Sequence, residues 1–286
     1  VSGARTRTPS SSPSPRNSSA KRDSSLAVET VFDDGTTVAC GHDFNDKVVR
    51  GGFGLRKADS ETGAAEAQGD ATLAGAAFEV VNANEQNVVY DGKEYEPGQV
   101  VTTIETDATG WAQVPAGSLP YGTYTVTEAV SPDGYHVGDA DGAHESITVT
   151  VDSKGWWHSY EANEMADQVV RGGISLHKVD ADTMTGDAQG EATLEGTTFE
   201  IANASEAAVV VNGESFEPGE AVLTLTTDAS GFASTGERDL PYGTYTVREV
   251  KAPEGYNESD GTVQVVKVRK EAEIVECGQA FSNSVM

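Results

Sequence analysis

Short runs in which hydrophobic and polar residues alternate recur along most of the chain after residue 25. A period of two residues is typical of β-strands, whose successive side chains point to opposite faces. Turn sequences separate the runs, as at Asp91-Gly92 and Asn212-Gly213. No segment has the sustained period of an amphipathic helix. The pattern therefore predicts an all-β protein.

The same pattern occurs twice at a constant interval. The segment VVRGGFGL, which begins at Val48, recurs as VVRGGISL from Val169, and LPYGTYTV occurs once in each copy. We predict one domain over residues 50–170 (repeat 1) and a second over residues 171–286 (repeat 2). Several short strands in a module of this length are typical of a β-sandwich.

Two segments precede the first full copy. Residues 28–49 align without a gap on 265–286, so we expect 26–49 to be the C-terminal hairpin of a truncated preceding repeat in a longer natural protein. Residues 1–25 are rich in Ser, Pro and Arg and contain almost no large apolar side chains. We predict that this tail is disordered, because it cannot bury enough surface to offset the entropy of ordering.

Strand alternation also places charged and polar residues in the apolar rows of each repeat. Lys57 continues the inward row of Phe53 and Leu55, and equivalent rows contain a glutamate and an Asp or Asn. The two predicted sets are Lys57, Glu128 and Asp167 in repeat 1, and Lys178, Glu249 and Asn283 in repeat 2.

Burial makes ionised groups of this kind costly, so they form pairs or lose their charge. A neutral lysine is a nucleophile, and a protonated glutamic acid can polarise a side-chain carbonyl. The amine could therefore attack the Asn or Asp side chain, expel ammonia or water, and form an amide. The alternative reading of each set is a buried or partly exposed salt bridge.

The acceptor in repeat 1 has two candidates. Asp167 has the same spacing to the following VVRGG as Asp46 has to the earlier one, and we prefer it for that reason. Asn163 lies nearby with the same strand parity. An aspartate acceptor would lose water where an asparagine would lose ammonia.

These segments resemble the Cna-B and SpaA-type repeats of Gram-positive adhesins and pilins. YTVTEAVSPDGY and YTVREVKAPEGY are similar to the E-box of that family, and the segments GFGLRK and GISLHK before Asp59 and Asp180 are similar to its first strand. The resemblance implies tandem transthyretin-like, or prealbumin-like, β-sandwich domains. It also implies that Lys57 and Lys178 form isopeptide bonds, that Glu128 and Glu249 are the catalytic acids, and that the acceptor lies near the end of the last strand.

Composition excludes several classes of partner. The chain of 286 residues has 46 acidic and 19 basic residues and a formal net charge of −27, which disfavours nucleic acid because phosphates would be repelled. Its two cysteines, Cys40 and Cys277, occupy equivalent places in different modules, so we expect no disulfide between them. The histidines lack ligand spacing, and we predict no metal and no cofactor. No apolar run is long enough to cross a bilayer, so we expect no membrane contact in this chain.

For two other groups of residues we predict a structural role rather than a binding site. The Asp-Ala-Asp segments at 139–141 and 180–182 resemble fragments of calcium loops but lack the regular spacing of oxygen ligands, so we expect solvated acidic turns. Trp156 and Trp157 are expected to pack in the core or between domains, an exposed contact for a glycan being the alternative.

The predicted function is structural. We expect rigid stalk or spacer domains of a secreted, cell-wall-anchored adhesin or pilus-like protein, with neighbouring repeats of the same chain as partners. The alternative is an adhesin domain in which a loop, such as 136–160, binds a host extracellular protein or glycan. No nucleophile elbow, zinc signature or paired-carboxylate cleft indicates an enzyme, apart from the single-turnover self-reaction.

Overall fold

The computed structural model describes residues 45–136, 146–152, 157–158, 164–258 and 261–286. Apart from residues 45–47, these lie in one compact unit, Val48–Met286. Within the described ranges every helix or strand is a β-strand, which confirms the all-β prediction. Cys40 and the segment 26–44 lie outside the described residues.

Repeat 1 consists of two sheets and a small hairpin. Its strands are β1 (Arg50–Asp59), β2 (Ala77–Asn82), β3 (Val88–Tyr90), β4 (Lys93–Tyr95), β5 (Val100–Glu105), β6 (Trp111–Pro120), β7 (Gly122–Val130), β8 (Ser146–Val151), β9 (Trp157–His158) and β10 (Glu164–Asp167). One sheet has the order β10-β1-β6, with β9 also paired to β1, and the other has the order β5-β2-β7-β8. Strands β3 and β4 form the hairpin.

Repeat 2 has the same plan. Its strands are β11 (Arg171–Asp180), β12 (Thr198–Asn203), β13 (Val209–Val211), β14 (Glu214–Phe216), β15 (Ala221–Thr226), β16 (Phe232–Ser234), β17 (Leu240–Pro241), β18 (Gly243–Lys251), β19 (Val263–Val268), β20 (Ile274–Glu276) and β21 (Phe281–Asn283). Strand β11 pairs with β16, β17, β20 and β21, and the second sheet has the order β15-β12-β18-β19. The hairpin is β13-β14.

The core of each repeat lies between its two sheets. Phe53 and Leu55 of β1 are fully buried against Phe78 of β2 and Val126 of β7 in repeat 1. Repeat 2 has an equivalent cluster, and a smaller one that contains Tyr135 and Tyr242 lies where the two repeats meet. Alternating burial along β2 and β12 agrees with the sequence pattern, since one face of each strand contributes to a core.

One feature of the fold agrees with the turn predicted from the sequence, and a second positions the candidate site. Asp91 and Gly92 have positive φ, as a two-residue hairpin turn requires, and this turn joins β3 to β4. The first and last strands of each repeat are parallel neighbours, β1 beside β10 and β11 beside β21. This pairing brings together residues that are more than a hundred positions apart in the chain.

Candidate functional site

The two lysines lie on the inner faces of the first strands. Phe53, Leu55 and Lys57 alternate along β1, and all three are fully buried between the sheets. Lys178 has the same place in β11. Because each lysine extends an apolar row without a break, its amine lies in the core rather than in solvent.

In repeat 1 the structure brings Lys57, Glu128 and Asp167 into direct contact. The Lys57 Nζ lies 2.8 Å from Glu128 Oε2 and 2.5 Å from Asp167 Oδ1, and none of the three side chains is exposed. Asp167 reaches the amine because β10 runs beside β1 with Asp59 opposite Asp167. Glu128 reaches it from β7 in the facing sheet.

Burial dominates the electrostatics of this cluster. It raises the pKa of Glu128 to about 7, although the Lys57 ammonium opposes the rise. Burial likewise raises the pKa of Asp167, again against the effect of Lys57. The nearby Asp167 carboxyl raises the pKa of Glu128 further. Each therefore holds a proton more readily than a carboxyl in water.

In repeat 2 the glutamate lies between the amine and the amide. Asn283 Nδ2 donates a hydrogen bond of 2.6 Å to Glu249 Oε1, and Glu249 Oε2 lies 3.6 Å from Lys178 Nζ. A second bond, of 2.9 Å to the Asn257 carbonyl, fixes the plane of the Asn283 amide. The Lys178 amine donates to the Phe281 carbonyl at 3.3 Å, which holds it beside β21.

The Lys178 amine is less basic than one in water. Burial lowers its pKa, while the nearby Glu249 carboxylate opposes that shift. A lower pKa increases the fraction of neutral amine, which is the nucleophilic form. The site in repeat 2 thus combines an activated amine, a carboxyl group and an oriented carboxamide.

Beside each cluster lies a buried aspartate whose role the sequence interpretation missed. Asp180 is fully buried, so the expectation of a solvated turn at this residue is wrong. Burial alone would raise its pKa, but hydrogen bonds from Gln189, Thr183 and Tyr256 outweigh that effect and lower it to about 2. The signal was available, because Asp180 follows Lys178 by two residues and so shares its inward row.

Asp59 has the equivalent position in repeat 1. Its carboxylate accepts hydrogen bonds from Gln68 Nε2 at 3.0 and 3.1 Å and from the Tyr135 hydroxyl at 2.8 Å. The backbone amides of Glu61 and Thr62 also donate to it. This network fixes the end of β1 two residues beyond Lys57.

Several sequence candidates do not join these clusters. Asn163, Trp156 and the acidic segment 139–141 lie outside the described residues. Cys277 is buried, and burial raises its pKa to about 11. No group of three or more potential metal ligands occurs in the described ranges. Those ranges also contain no helix with the length and apolar character to cross a membrane.

Comparisons with known proteins identify the type of domain. A family model described as the SpaA prealbumin-like fold domain matches residues 52–164 and 172–279. A search of curated proteins found no match. Among solved structures, the Bacillus anthracis TIE protein matches 83% of this chain at 21% identity with a TM-score of 0.50. The chain spans 34% of the length of that protein, and the likeness shows the fold alone.

Two pilins also match over most of the chain. The streptococcal ancillary pilin matches 83% of this chain and 63% of its own length, at 20% identity and a TM-score of 0.31. The shaft pilin SpaA from Lactobacillus rhamnosus GG matches 83% of this chain and 98% of its own, at 16% identity and a TM-score of 0.30.

Proposed function

Because this chain belongs to the family of SpaA prealbumin-like fold domains, we propose that its repeats are spacer modules in the stalk of a Gram-positive adhesin or pilus-like protein. Each repeat forms one intramolecular amide bond, from Lys57 to Asp167 in repeat 1 and from Lys178 to Asn283 in repeat 2. The modules lie outside the cell in a wall-anchored protein. They act on no external substrate.

One observation carries this proposal. In both repeats a fully buried lysine lies beside a buried glutamate, and a carboxyl-derived side chain at the end of the last described strand contacts the lysine in repeat 1 and the glutamate in repeat 2. A buried ion pair seldom adds stability over an apolar pair of the same size. The recurrence of the whole set is therefore better explained by a reaction than by a salt bridge.

In repeat 1 the reaction is a condensation that releases water. Neutral Lys57 Nζ attacks Asp167 Cγ, Glu128 donates a proton to the acceptor carboxyl, and a C–N bond replaces one C–O bond. The leaving hydroxyl departs as water after it takes up a proton from the attacking amine through Glu128, and the carbonyl oxygen of the new amide returns its proton to Glu128. The raised pKa of both carboxyls favours this route, because a protonated Asp167 is a better electrophile than a carboxylate.

In repeat 2 the leaving group is ammonia. Lys178 Nζ attacks Asn283 Cγ, and a new C–N bond replaces the bond from Cγ to Nδ2. Glu249 contacts Nδ2 at 2.6 Å and lies 3.6 Å from the amine, so it can carry the proton from the amine to the departing nitrogen. The lowered pKa of Lys178 supplies the neutral amine that this step requires.

Intact mass measured on the unfolded chain tests the proposal. The parent is expected to weigh less than its sequence by one water and one ammonia. Lys57→Ala should lack only the ammonia, and Lys178→Ala should lack only the water, after correction for the substitutions. Peptide mapping should then find residues 57 and 167, and residues 178 and 283, in branched peptides.

A matched control uses a lysine outside the clusters. Lys93 is exposed in repeat 1, and the mass of Lys93→Ala should still be lower by one water and one ammonia. A parent chain with the full sequence mass, or branched peptides at other residues, would overturn the cross-linking proposal. A full mass would leave the buried clusters as salt bridges and the spacer role without its covalent support.

A further inference from the structure

The junction between the repeats contains several side-chain hydrogen bonds from repeat 2 to acidic residues of repeat 1, and one contact of the opposite sense, between His136 of repeat 1 and Glu271 of repeat 2 at 2.8 Å. The far end of repeat 1, formed by residues 61, 68–73 and 133–136, faces the near end of repeat 2, formed by residues 171, 207–210, 242–244 and 269–271. Three acidic residues of repeat 1 accept hydrogen bonds from side chains of repeat 2. The contacts are Arg171 Nε to Glu61 Oε1 at 3.1 Å, Arg269 Nη2 to Asp70 Oδ2 at 2.8 Å, and the Tyr242 hydroxyl to Asp133 Oδ2 at 3.0 Å.

Backbone contacts at Gly69 complete this junction. The Gly69 amide donates to the Ala208 carbonyl at 2.9 Å, and the Ala207 amide donates to the Gly69 carbonyl at 3.1 Å. A Cβ at Gly69 would overlap the Tyr242 carbonyl, and the residue has φ +58°. The close approach of the two repeats therefore requires glycine here.

The far end of repeat 2 has an acidic residue at each of the same three places, one repeat interval further along the chain. Asp182, Glu191 and Glu254 occupy the places of Glu61, Asp70 and Asp133. Gly190 adopts φ +60°, as Gly69 does, but a Cβ built there meets nothing within 4 Å. The surface that repeat 1 uses to receive repeat 2 is thus present again on repeat 2, where it faces open space.

The backbone continues this register. The Met286 amide donates to the Gly255 carbonyl at 3.0 Å, and the Val170 amide donates to the Gly134 carbonyl at 2.8 Å. Met286 therefore has the place of Val170, the residue directly before Arg171. A module joined to Met286 would begin where repeat 2 begins relative to repeat 1.

We propose that the far end of repeat 2 is a docking surface for the near end of another module of the same type. A suitable module carries arginine at the places of Arg171 and Arg269, because Asp182 and Glu191 supply the acids that such residues contact. The contact is head to tail, so it can repeat without closing into a ring. This inference deepens the proposed spacer role and rests on it, but it does not require the amide bonds.

The near end of repeat 1 shows what such a surface looks like without a described partner. Tyr121 is 57% exposed, while Tyr242 in the same place of repeat 2 is 8% exposed against repeat 1. Arg50 bonds to the carbonyls of Ser118 and Val89 as Arg171 does to those of Asp239 and Val210. Repeat 1 has Asp152 at the place of Arg269, however, so its near end would meet Glu191 with a like charge.

A three-repeat chain tests the docking surface directly. Residues 171–286 are added a second time after Met286, and amide hydrogen exchange is measured at Gly190. In the parent this amide should exchange rapidly. In the longer chain it should slow to within a factor of about ten of the Gly69 amide, which is buried at the existing junction.

Two controls make the result decisive. Asp182→Lys together with Glu191→Lys should return Gly190 to rapid exchange in the three-repeat chain and leave Gly69 protected. Adding residues 50–170 in place of 171–286 should protect Gly190 less, because of Asp152. Rapid exchange at Gly190 beside a folded third module would overturn the docking proposal. The mass of each chain, which reports the cross-links, tests the proposed function independently.

Discussion

Each candidate site depends on what burial does to an amine and a carboxyl group. In water, Lys57 and Glu128 would both be ionised, and neither would react with a carboxyl-derived neighbour. Full burial raises the pKa of Glu128 to about 7, and in repeat 2 it lowers the pKa of Lys178. Both shifts favour neutral groups, which are the forms that an amide-forming reaction consumes.

Replacing the glutamate of repeat 2 should separate catalysis from packing. Glu249→Gln keeps the size of the side chain but removes the carboxyl group that contacts Asn283 and Lys178. We expect the variant to retain the ammonia of repeat 2 and still lose the water of repeat 1, as read by intact mass. The matched control is Glu200→Gln, which alters an ion pair with Arg248 on an exposed face. This control should lose both the ammonia and the water. Loss of ammonia from Glu249→Gln would contradict the assigned role.

Glu128 should make stability depend on pH near neutrality. Its folded pKa of about 7 exceeds the usual 4.5, so the folded state binds a proton that the unfolded chain releases. The associated stability is fully present below about pH 4.5 and is lost as pH rises through about 7, on the order of 3 kcal/mol for a shift of this size. Lys57→Ala removes the amine that the proposed cross-link requires, and with it the charge that opposes the rise in the Glu128 pKa. In chemical denaturation, the free energy of unfolding of Lys57→Ala should fall between about pH 5 and about pH 8.

The matched variant adds Glu128→Gln to the Lys57→Ala background. A glutamine does not titrate, so the part of this pH dependence that Glu128 supplies should disappear, while the part from Asp167, whose pKa burial also raises, should remain. An equal decline in both proteins would show that Glu128 is not its source.

At the scale of elements, the pairing of the first strand with the last decides which residues meet. Alternation along β1 and β7 correctly places Lys57 and Glu128 inside, and the resemblance to SpaA-type repeats is confirmed by the family match. Parity could also have placed Asp59 inside, since it lies two residues beyond Lys57. The sequence that follows Asp59 is typical of a turn, and acidic residues in turns are usually solvated, so the pattern favoured an exposed side chain. The contacts of Gln68 and Asp70 with repeat 2 could not be predicted, because they depend on how two folded repeats meet.

A comparison of two glutamines should measure the contribution of that junction. Gln68 donates to Asp59 and also accepts a hydrogen bond of 2.8 Å from the Val210 amide in repeat 2. Gln189 donates to Asp180 in the equivalent network, at 2.8 Å. Gln68→Ala should therefore lower the free energy of unfolding by about 1 kcal/mol more than Gln189→Ala. Equal losses in chemical denaturation would show that the Val210 contact adds nothing.

For the whole molecule, the amide bonds should determine the response to force. Tension along the chain enters repeat 1 at β1 and leaves through β10, and a bond from Lys57 to Asp167 would carry it past all residues between them. Single-molecule pulling on the parent should show no unfolding step for either repeat.

In the same experiment, a variant with one lysine replaced should unfold only the repeat that has lost its lysine. Lys57→Ala and Lys178→Ala should each show one unfolding step, and the double variant should show two. Two steps in the parent would contradict the presence of both bonds. The acidic surface, with its formal net charge of −27, should keep such extended chains apart in solution.

Parallel pairing of the first and last strands of a repeat also sets the direction in which a chain of modules lengthens. Since β1 and β10 run the same way, the polypeptide enters a module at one pole and departs near the opposite one. An antiparallel pair would have returned it to its starting side. A strand of ten residues covers about 33 Å, so every additional copy carries the tip outward by a distance of that order. Reach could therefore be adjusted simply by gene duplication.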